Sequence, residues 1–205
     1  MKRLIEGMGD NSAKGYDEIY YSRKDKGVDP QDFRRWKKLL QHYRGGKLID
    51  LGCLDSMIPM MAKEWYPYAE VWGIDIAEAA IEDMQEKNPD VLFQVGDVYN
   101  TSFPNNYFDY AVAGEVLEHL DDPEKFLHET FRILKHGGIL ALSTPLGETH
   151  AGEVDNHRHL WSWELEDMKK LMSPYGSVRT KVIGSTYFPT YVYHFPTIIS
   201  YCKKK

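Results

Sequence analysis

Short apolar runs alternate with segments of helical periodicity through most of the chain. The runs are Lys47–Leu51, Val71–Ile74, Val91–Val95, Tyr107–Ala113 and Ile139–Ser143. Each has the length and largely apolar character of a buried strand. Three of them end on an acidic residue, at Asp75, Gly96-Asp97 and Gly114-Glu115. Between the runs, residues 57–66 predict a helix that tolerates Pro59 only in its first turn, and Ala77–Lys87 predicts a second, closed by Asn88-Pro89. Asp122-Pro123 opens a third helix, with Phe126, Leu127, Thr130, Phe131 and Leu134 on one face and Gly137-Gly138 as the expected stop. This alternation predicts an α/β architecture with a doubly wound, Rossmann-like parallel sheet and helices on both faces. Such sheets bind ligands at the carboxyl ends of their strands, where the strand order reverses.

The flanks read differently. Residues 7–29 are polar and weakly periodic and predict a loosely helical arm. Asp29-Pro30 then starts a helix carrying Phe33, Trp36, Leu39, Leu40 and Tyr43, which Gly45-Gly46 is expected to end. Past the fifth run, residues 146–161 form a polar loop whose His150, His157 and His159 are expected to face solvent. Ser162 is the expected cap of a helix with Trp163, Leu165, Met168, Leu171 and Met172 as its apolar side. Residues 178–183 and 197–202 read as two final strands. The chain thus divides into an N-terminal arm and helical cap, 1–44, and a domain, 45–205.

Composition narrows the class. The 205 residues are 42% hydrophobic and 27% charged, the balance of a globular protein with a sizeable core. The net charge of −6 weighs against a general nucleic-acid binder, although a local basic groove stays open. Cys53 and Cys202 are too few for a disulfide framework or a Cys-rich zinc site. Met1–Gly7 lacks the apolar stretch of a secretory signal, and no apolar run approaches membrane-spanning length. A reducing, cytoplasmic setting is expected.

The turn after the first run reads Asp50-Leu51-Gly52-Cys53-Leu54-Asp55-Ser56. A strand, a small-residue turn and a helix aim backbone N–H groups at a ligand. Asp75 ends the second run, where a carboxylate can accept from a ribose diol. Gln94-Val95-Gly96-Asp97-Val98 and Glu115-Val116-Leu117-Glu118-His119-Leu120 follow in order. Together these segments resemble the class I S-adenosylmethionine-dependent methyltransferases over roughly residues 45–172, with the small-molecule enzymes of ubiquinone and secondary-metabolite biosynthesis nearest in appearance. The resemblance implies a seven-stranded, mostly parallel sheet with the last strand antiparallel. It implies S-adenosyl-L-methionine as cofactor, S-adenosyl-L-homocysteine as product and a small-molecule methyl acceptor. It assigns cofactor binding to Asp50, Gly52, Cys53, Asp75, Ile76, Gly96, Asp97, Val98 and Glu115. Leu54 and Ser56 depart from it, standing where the family's second and third glycines lie, and Leu54 is expected to crowd the cofactor. A nicotinamide oxidoreductase also uses a glycine turn and an acidic residue, but does not show the Gly-Asp or Glu-x-x-Glu-His blocks.

Glu115, Glu118 and His119 fall on one face if their segment is helical, a ligand set suited to a divalent metal. The same block occurs in metal-dependent RNA 2′-O-methyltransferases, so a metal-assisted RNA enzyme is one alternative, and many metal-free methyltransferases carry it too. A non-catalytic protein of the same fold is the other alternative, motivated by Leu54 and Ser56. For a hydroxyl acceptor, His119 is the first candidate base and His157 the second. The aromatic stretch Tyr187–Pro196 is expected to wall an apolar substrate pocket, with Tyr16, Tyr20 and Tyr21 closing the other side.

Overall fold

The computed structural model describes residues 2–3, 11–147, 159–184 and 196–205. The strands are β1 (Lys2–Arg3), β2 (Lys47–Leu51), β3 (Glu70–Asp75), β4 (Leu92–Val95), β5 (Phe108–Gly114), β6 (Leu134–Pro145), β7 (Trp161–Ser162), β8 (Gly176–Ile183) and β9 (Thr197–Lys204). The helices are α1 (Ala13–Arg23), α2 (Pro30–Leu39), α3 (Ile58–Trp65), α4 (Glu78–Lys87), α5 (Pro123–Ile133) and α6 (Leu165–Met172). A short 3₁₀ turn spans Leu117–His119.

Seven strands form one sheet in the order β4-β3-β2-β5-β6-β9-β8, in which β9 alone runs against its neighbours. The chain steps outward from β2 through β3 to β4, then returns to the other side of β2 with β5. That reversal opens a crevice at the carboxyl ends of β2 and β5. Trp36 and Leu39 of α2, Leu40 just after it, and Ile58, Met61 and Ala62 of α3 pack on one face of the sheet, with Leu48, Tyr110 and Ala141 beneath them. Phe126, Leu127, Phe131, Met168 and Met172 of α5 and α6 pack on the other, over Ile49, Ala111 and Leu140. The central strands are therefore buried on both sides, which is why their sequence is largely apolar rather than alternating.

Four expected boundaries move. The arm holds a regular helix, α1, whose Ser12 cap accepts from the Gly15 N–H; its weak periodicity reflects a helix with only Gly15 and Tyr20 buried. α2 stops at Leu39, and Gly45 and Gly46, both near φ +90°, turn the chain into β2 instead of ending the helix. α5 ends at Ile133, because Leu134 is drawn into the core as the first residue of β6. Gly137-Gly138 then lies within a register shift of β6 against β5, and a Cβ on Gly138 would meet the Lys135 and Asp109 carbonyl oxygens at 2.9 and 3.2 Å. Ser162 pairs with Lys2 in a two-stranded sheet, so Glu164 caps α6 through a reciprocal box with Asp167. Among the described residues no helix is long and apolar enough to cross a membrane.

Candidate active site

The crevice widens into a cavity of about 980 Å³, lined from β2, β3, β5, their following loops, α1 and α2. That is the upper end of the range for a small-molecule site. The turn after β2 forms its floor. Gly52 and Cys53 both donate to the Ile74 carbonyl, at 2.9 and 3.0 Å, which pins the turn to β3. Gly52 sits at φ +74°, and a Cβ there would lie 2.8 Å from Val116 Cγ2, so only glycine fits.

The two residues that depart from the glycine pattern have structural work. Leu54 holds a left-handed backbone, φ +38°, with its N–H donated to Asp75 Oδ2 at 2.8 Å. Its side chain lines the cavity and packs with Tyr16, Tyr20, Ala77 and Ala80, where α1 lies on the start of α4. The residue expected to crowd the cofactor thus also seats the N-terminal helix. Ser56 accepts from the Ile58 N–H at 3.1 Å, beginning α3, and hydrogen bonds the Asp50 carboxylate.

Asp50 is buried at the end of β2, and its Oδ2 has no hydrogen-bond partner. Burial, and to a lesser degree the Asp75 charge, push its pKa up to about 7 against the opposing Ser56 bond. Asp75 accepts from Leu54 and, through Oδ1, from Ala77 at 2.9 Å; burial raises its pKa and these N–H groups lower it. It therefore caps the turn into α4 as well as facing the cavity. Ile76, Asp97 and Val98 line the same wall, Asp97 with its Oδ1 on the Tyr99 N–H at 2.8 Å. Cys53 is buried, and burial raises its thiol pKa. Gly96 is not part of the lining; its N–H closes the turn onto the Asp75 carbonyl at 2.9 Å.

The Glu-x-x-Glu-His block is not one helical face. Glu115 stands at φ +58°, held by N–H bonds to the Ser143 carbonyl and hydroxyl, and only Leu117–His119 turn helically. The groups that converge are Glu118, His119 and His159, whose ligand atoms lie within 4.8 Å of one another. His159 replaces Glu115 in that set and is 5% exposed, against the solvent-facing expectation. Its ring meets the His119 ring edge-on at 4.6 Å. The Leu160 N–H bonds the Glu118 carbonyl at 2.6 Å, which holds the loop end over the 3₁₀ turn. Glu115 Oε2 lies 3.8 Å from Arg35 of α2 instead.

α1 covers the site. Asn11 Nδ2 donates to the His119 carbonyl at 3.1 Å, and the Tyr16 ring stands edge-on to His119 at 6.2 Å. The Tyr20 hydroxyl bonds Asp83 of α4, and Asp17 caps α4 by accepting from Ala79 at 3.0 Å. Tyr21 is 60% exposed and outside the lining, contrary to its expected place beside Tyr16 and Tyr20. His150, His157 and Tyr187–Phe195 lie outside the described residues. Sequence reasoning did not find Arg35, Asn11 or Thr144. Thr144 carried a signal, a polar residue at the carboxyl end of a strand; Arg35 and Asn11 carried none.

Residues 49–142 match the family model described as "Methyltransferase domain". A demethylmenaquinone methyltransferase of Listeria welshimeri is 34% identical over 118 residues, 52% of this chain and 50% of the relative. The chain spans about half the length of the curated relatives it matches. Among solved structures, the methyltransferase of a Haloferax volcanii complex with the Trm112 methyltransferase activator is similar at TM-score 0.76 and 17% identity, covering 92% of this chain and 97% of that one. A SAM-dependent methyltransferase from Aquifex aeolicus is similar at TM-score 0.69 and 15% identity, covering 92% and 98%. Residues 49–142 are thus similar to a methyltransferase domain, and the chain shares the fold of these solved structures.

Proposed function

We propose that this chain transfers a methyl group from S-adenosyl-L-methionine to an O or N atom of a small molecule. The observation that carries the reading is the buried, unpartnered Asp50 Oδ2 at the tip of β2, beside a turn whose Gly52 has no room for a Cβ. A buried carboxylate oxygen without a donor is costly, and a bound ammonium group offsets that cost. The cofactor's amino-acid end would therefore lie at Asp50 and the Gly52–Cys53 turn, with its nucleoside at Asp75, Ile76, Asp97 and Val98. The second lone pairs of the Asp75 oxygens are the acceptors for a ribose diol.

When bound, the sulfonium supplies a methyl group already activated for in-line displacement. The protein's task is then orientation and exclusion of water. Tyr16, Tyr20 and Leu54 close the cavity beneath α1. His119 lines the cavity and is the base for an acceptor that still holds its proton. The two free, buried cysteines suit a reducing cytoplasm. The non-catalytic alternative loses its motive once Leu54 and Ser56 are seen to build the turn. Acidic side chains outnumber Arg23, Lys24, Lys26, Arg35 and Lys87 in the lining, a balance that weighs against an RNA acceptor.

Calorimetry with S-adenosylhomocysteine tests the reading. Wild type is expected to bind with micromolar affinity and Asp50→Ala at least about tenfold more weakly, the loss of one buried charged hydrogen bond. A wild-type protein that binds neither S-adenosylhomocysteine nor S-adenosylmethionine refutes it.

A further inference from the structure

The proposed cofactor ends in an amino acid, a cation and an anion on one carbon. Asp50 answers the cation but not the anion. The turn after β2 has little to give a carboxylate. The Gly52 and Cys53 N–H groups are both spent on the Ile74 carbonyl, the Leu54 N–H on Asp75, and the Ser56 N–H on the Cys53 carbonyl at 2.6 Å. Asp55 adds a negative charge to the lining. The start of α3 gives little more, since Pro59 has no N–H and that of Ile58 is donated to the Ser56 hydroxyl. An anion placed here needs a cationic side chain.

Arg23, Lys24, Lys26 and Lys87 reach the cavity from exposed positions. Arg35 differs. Its side chain, on α2, is only 20% exposed, with Nη2 on Asp32 at 2.8 Å. Its Nε has no hydrogen-bond partner, and its Nη1 lies 3.8 Å from Glu115 Oε2, beyond hydrogen-bond reach. Glu115 Oε1 is buried without a partner too. A closed arginine–carboxylate pair stands at about 2.7–2.9 Å, so these two groups lie side by side unclosed. Each is fixed from elsewhere: Arg35 by Asp32, Glu115 by a left-handed backbone, φ +58°, whose N–H is held by Ser143. Their place suits the cofactor's end. Val112 of β5 pairs with Asp50 of β2, so Glu115 emerges beside the Gly52–Cys53 turn, and Val116 packs on Gly52. We propose that Arg35 holds the carboxylate of the cofactor's amino-acid end, and that Glu115 joins Asp50 in holding its ammonium group. This deepens, and rests on, the methyltransferase reading. A cation on one side and two anions on the other admit the zwitterion one way round. The helical cap thereby supplies part of the cofactor site as well as its cover.

The test titrates the full chain with S-adenosylhomocysteine and with its decarboxylated form, which keeps the ammonium group and lacks the carboxylate. Calorimetry is expected to show wild type binding S-adenosylhomocysteine at least about tenfold more tightly, the worth of a charge-assisted hydrogen bond. Arg35→Gln should cut that preference to under about threefold, by weakening S-adenosylhomocysteine and leaving the decarboxylated form unchanged. If Arg35→Gln does not fold, Arg35→Lys, which keeps the charge without the guanidinium, should give a preference between those of wild type and parity. Glu115→Gln should weaken both ligands alike, about threefold or more, because both keep the ammonium group. Equal affinities in wild type overturn the proposal alone. So does an Arg35 variant that weakens both ligands alike or neither, or a Glu115→Gln protein that weakens neither. A wild type that binds neither ligand refutes the methyltransferase reading and the proposal with it.

Discussion

Replacing Asp50 with Asn should make the empty protein more stable and the loaded protein less so. The wild-type carboxyl has its pKa lifted from 3.8 to about 7, chiefly by burial. An acid whose folded pKa lies above its unfolded value destabilises the fold as pH rises through that interval. Below about pH 4 both states are protonated and Asp50 contributes nothing. Between pH 4 and 7 the unfolded chain ionises while the folded one resists, so stability falls; above pH 7 the penalty is constant. At about 1.4 kcal/mol per pH unit the ceiling is about 4 kcal/mol. Asn keeps the shape and retains a partner for Ser56, but its amide brings a donor needing its own acceptor, so a net gain of about 2 kcal/mol is expected at pH 8. For a chain of this length that is a rise in Tm of about 4–8 °C. Thermal unfolding of both proteins from pH 4 to 8 reads the difference, which should vanish at the acid end. Saturating S-adenosylhomocysteine should then reverse the ranking at pH 8, because its ammonium satisfies Asp50 and not Asn. An Asn variant that is less stable at pH 8, or a difference independent of pH, refutes the reasoning.

Gly52→Ala places a methyl group 2.8 Å from Val116 Cγ2 on a backbone at φ +74°; a loss of about 2 kcal/mol or more is expected in denaturant unfolding, with cofactor affinity falling alongside. Leu54→Gly relieves a left-handed backbone worth about 1–2 kcal/mol but removes the seat of α1, so amide exchange across Ala13–Arg23 should quicken while the rest of the chain is unchanged. His119→Ala should lower turnover by about a hundredfold or more if the ring takes the acceptor's proton, with S-adenosylhomocysteine affinity intact; a fall of less than tenfold removes that role.

The centre of the sheet was legible because β2, β5 and β6 are covered on both faces. Largely apolar runs such as Val71–Ile74 and Ile139–Ser143 leave few other readings, and the acidic residues Asp75, Asp97 and Glu115 after three of the runs mark the side of the sheet where ligands bind. Helix ends were less legible wherever tertiary packing outweighed local chemistry. Gly137-Gly138 looks like a helix stop, yet the burial of Leu134 ends α5 earlier and leaves the glycines to relieve crowding inside β6. Ser162 looks like a cap, yet its pairing with Lys2 depends on a partner 160 residues away in sequence. Such long-range pairings leave no local signature.

The candidate site shows the same division between local and distant causes. Asp50, Gly52 and Asp75 sit on neighbouring strand ends, so their convergence follows from the sheet alone. The Glu118–His119–His159 group does not, because it needs the polar loop's end to fold back onto the 3₁₀ turn through the Leu160–Glu118 bond. Helical spacing put Glu115 in that group; the left-handed backbone at Glu115 swings its carboxylate toward Arg35. Leu54 gives the sharpest lesson. A side chain in a glycine's place reads from sequence as damage to a binding turn. In the fold it is the contact by which α1 is held over the cavity, and its N–H engages Asp75 while its backbone adopts the left-handed form a glycine would take. The turn therefore keeps its geometry at a cost of about 1–2 kcal/mol in backbone strain, and the apolar packing of Leu54 under Tyr16 and Tyr20 is of the size needed to offset it.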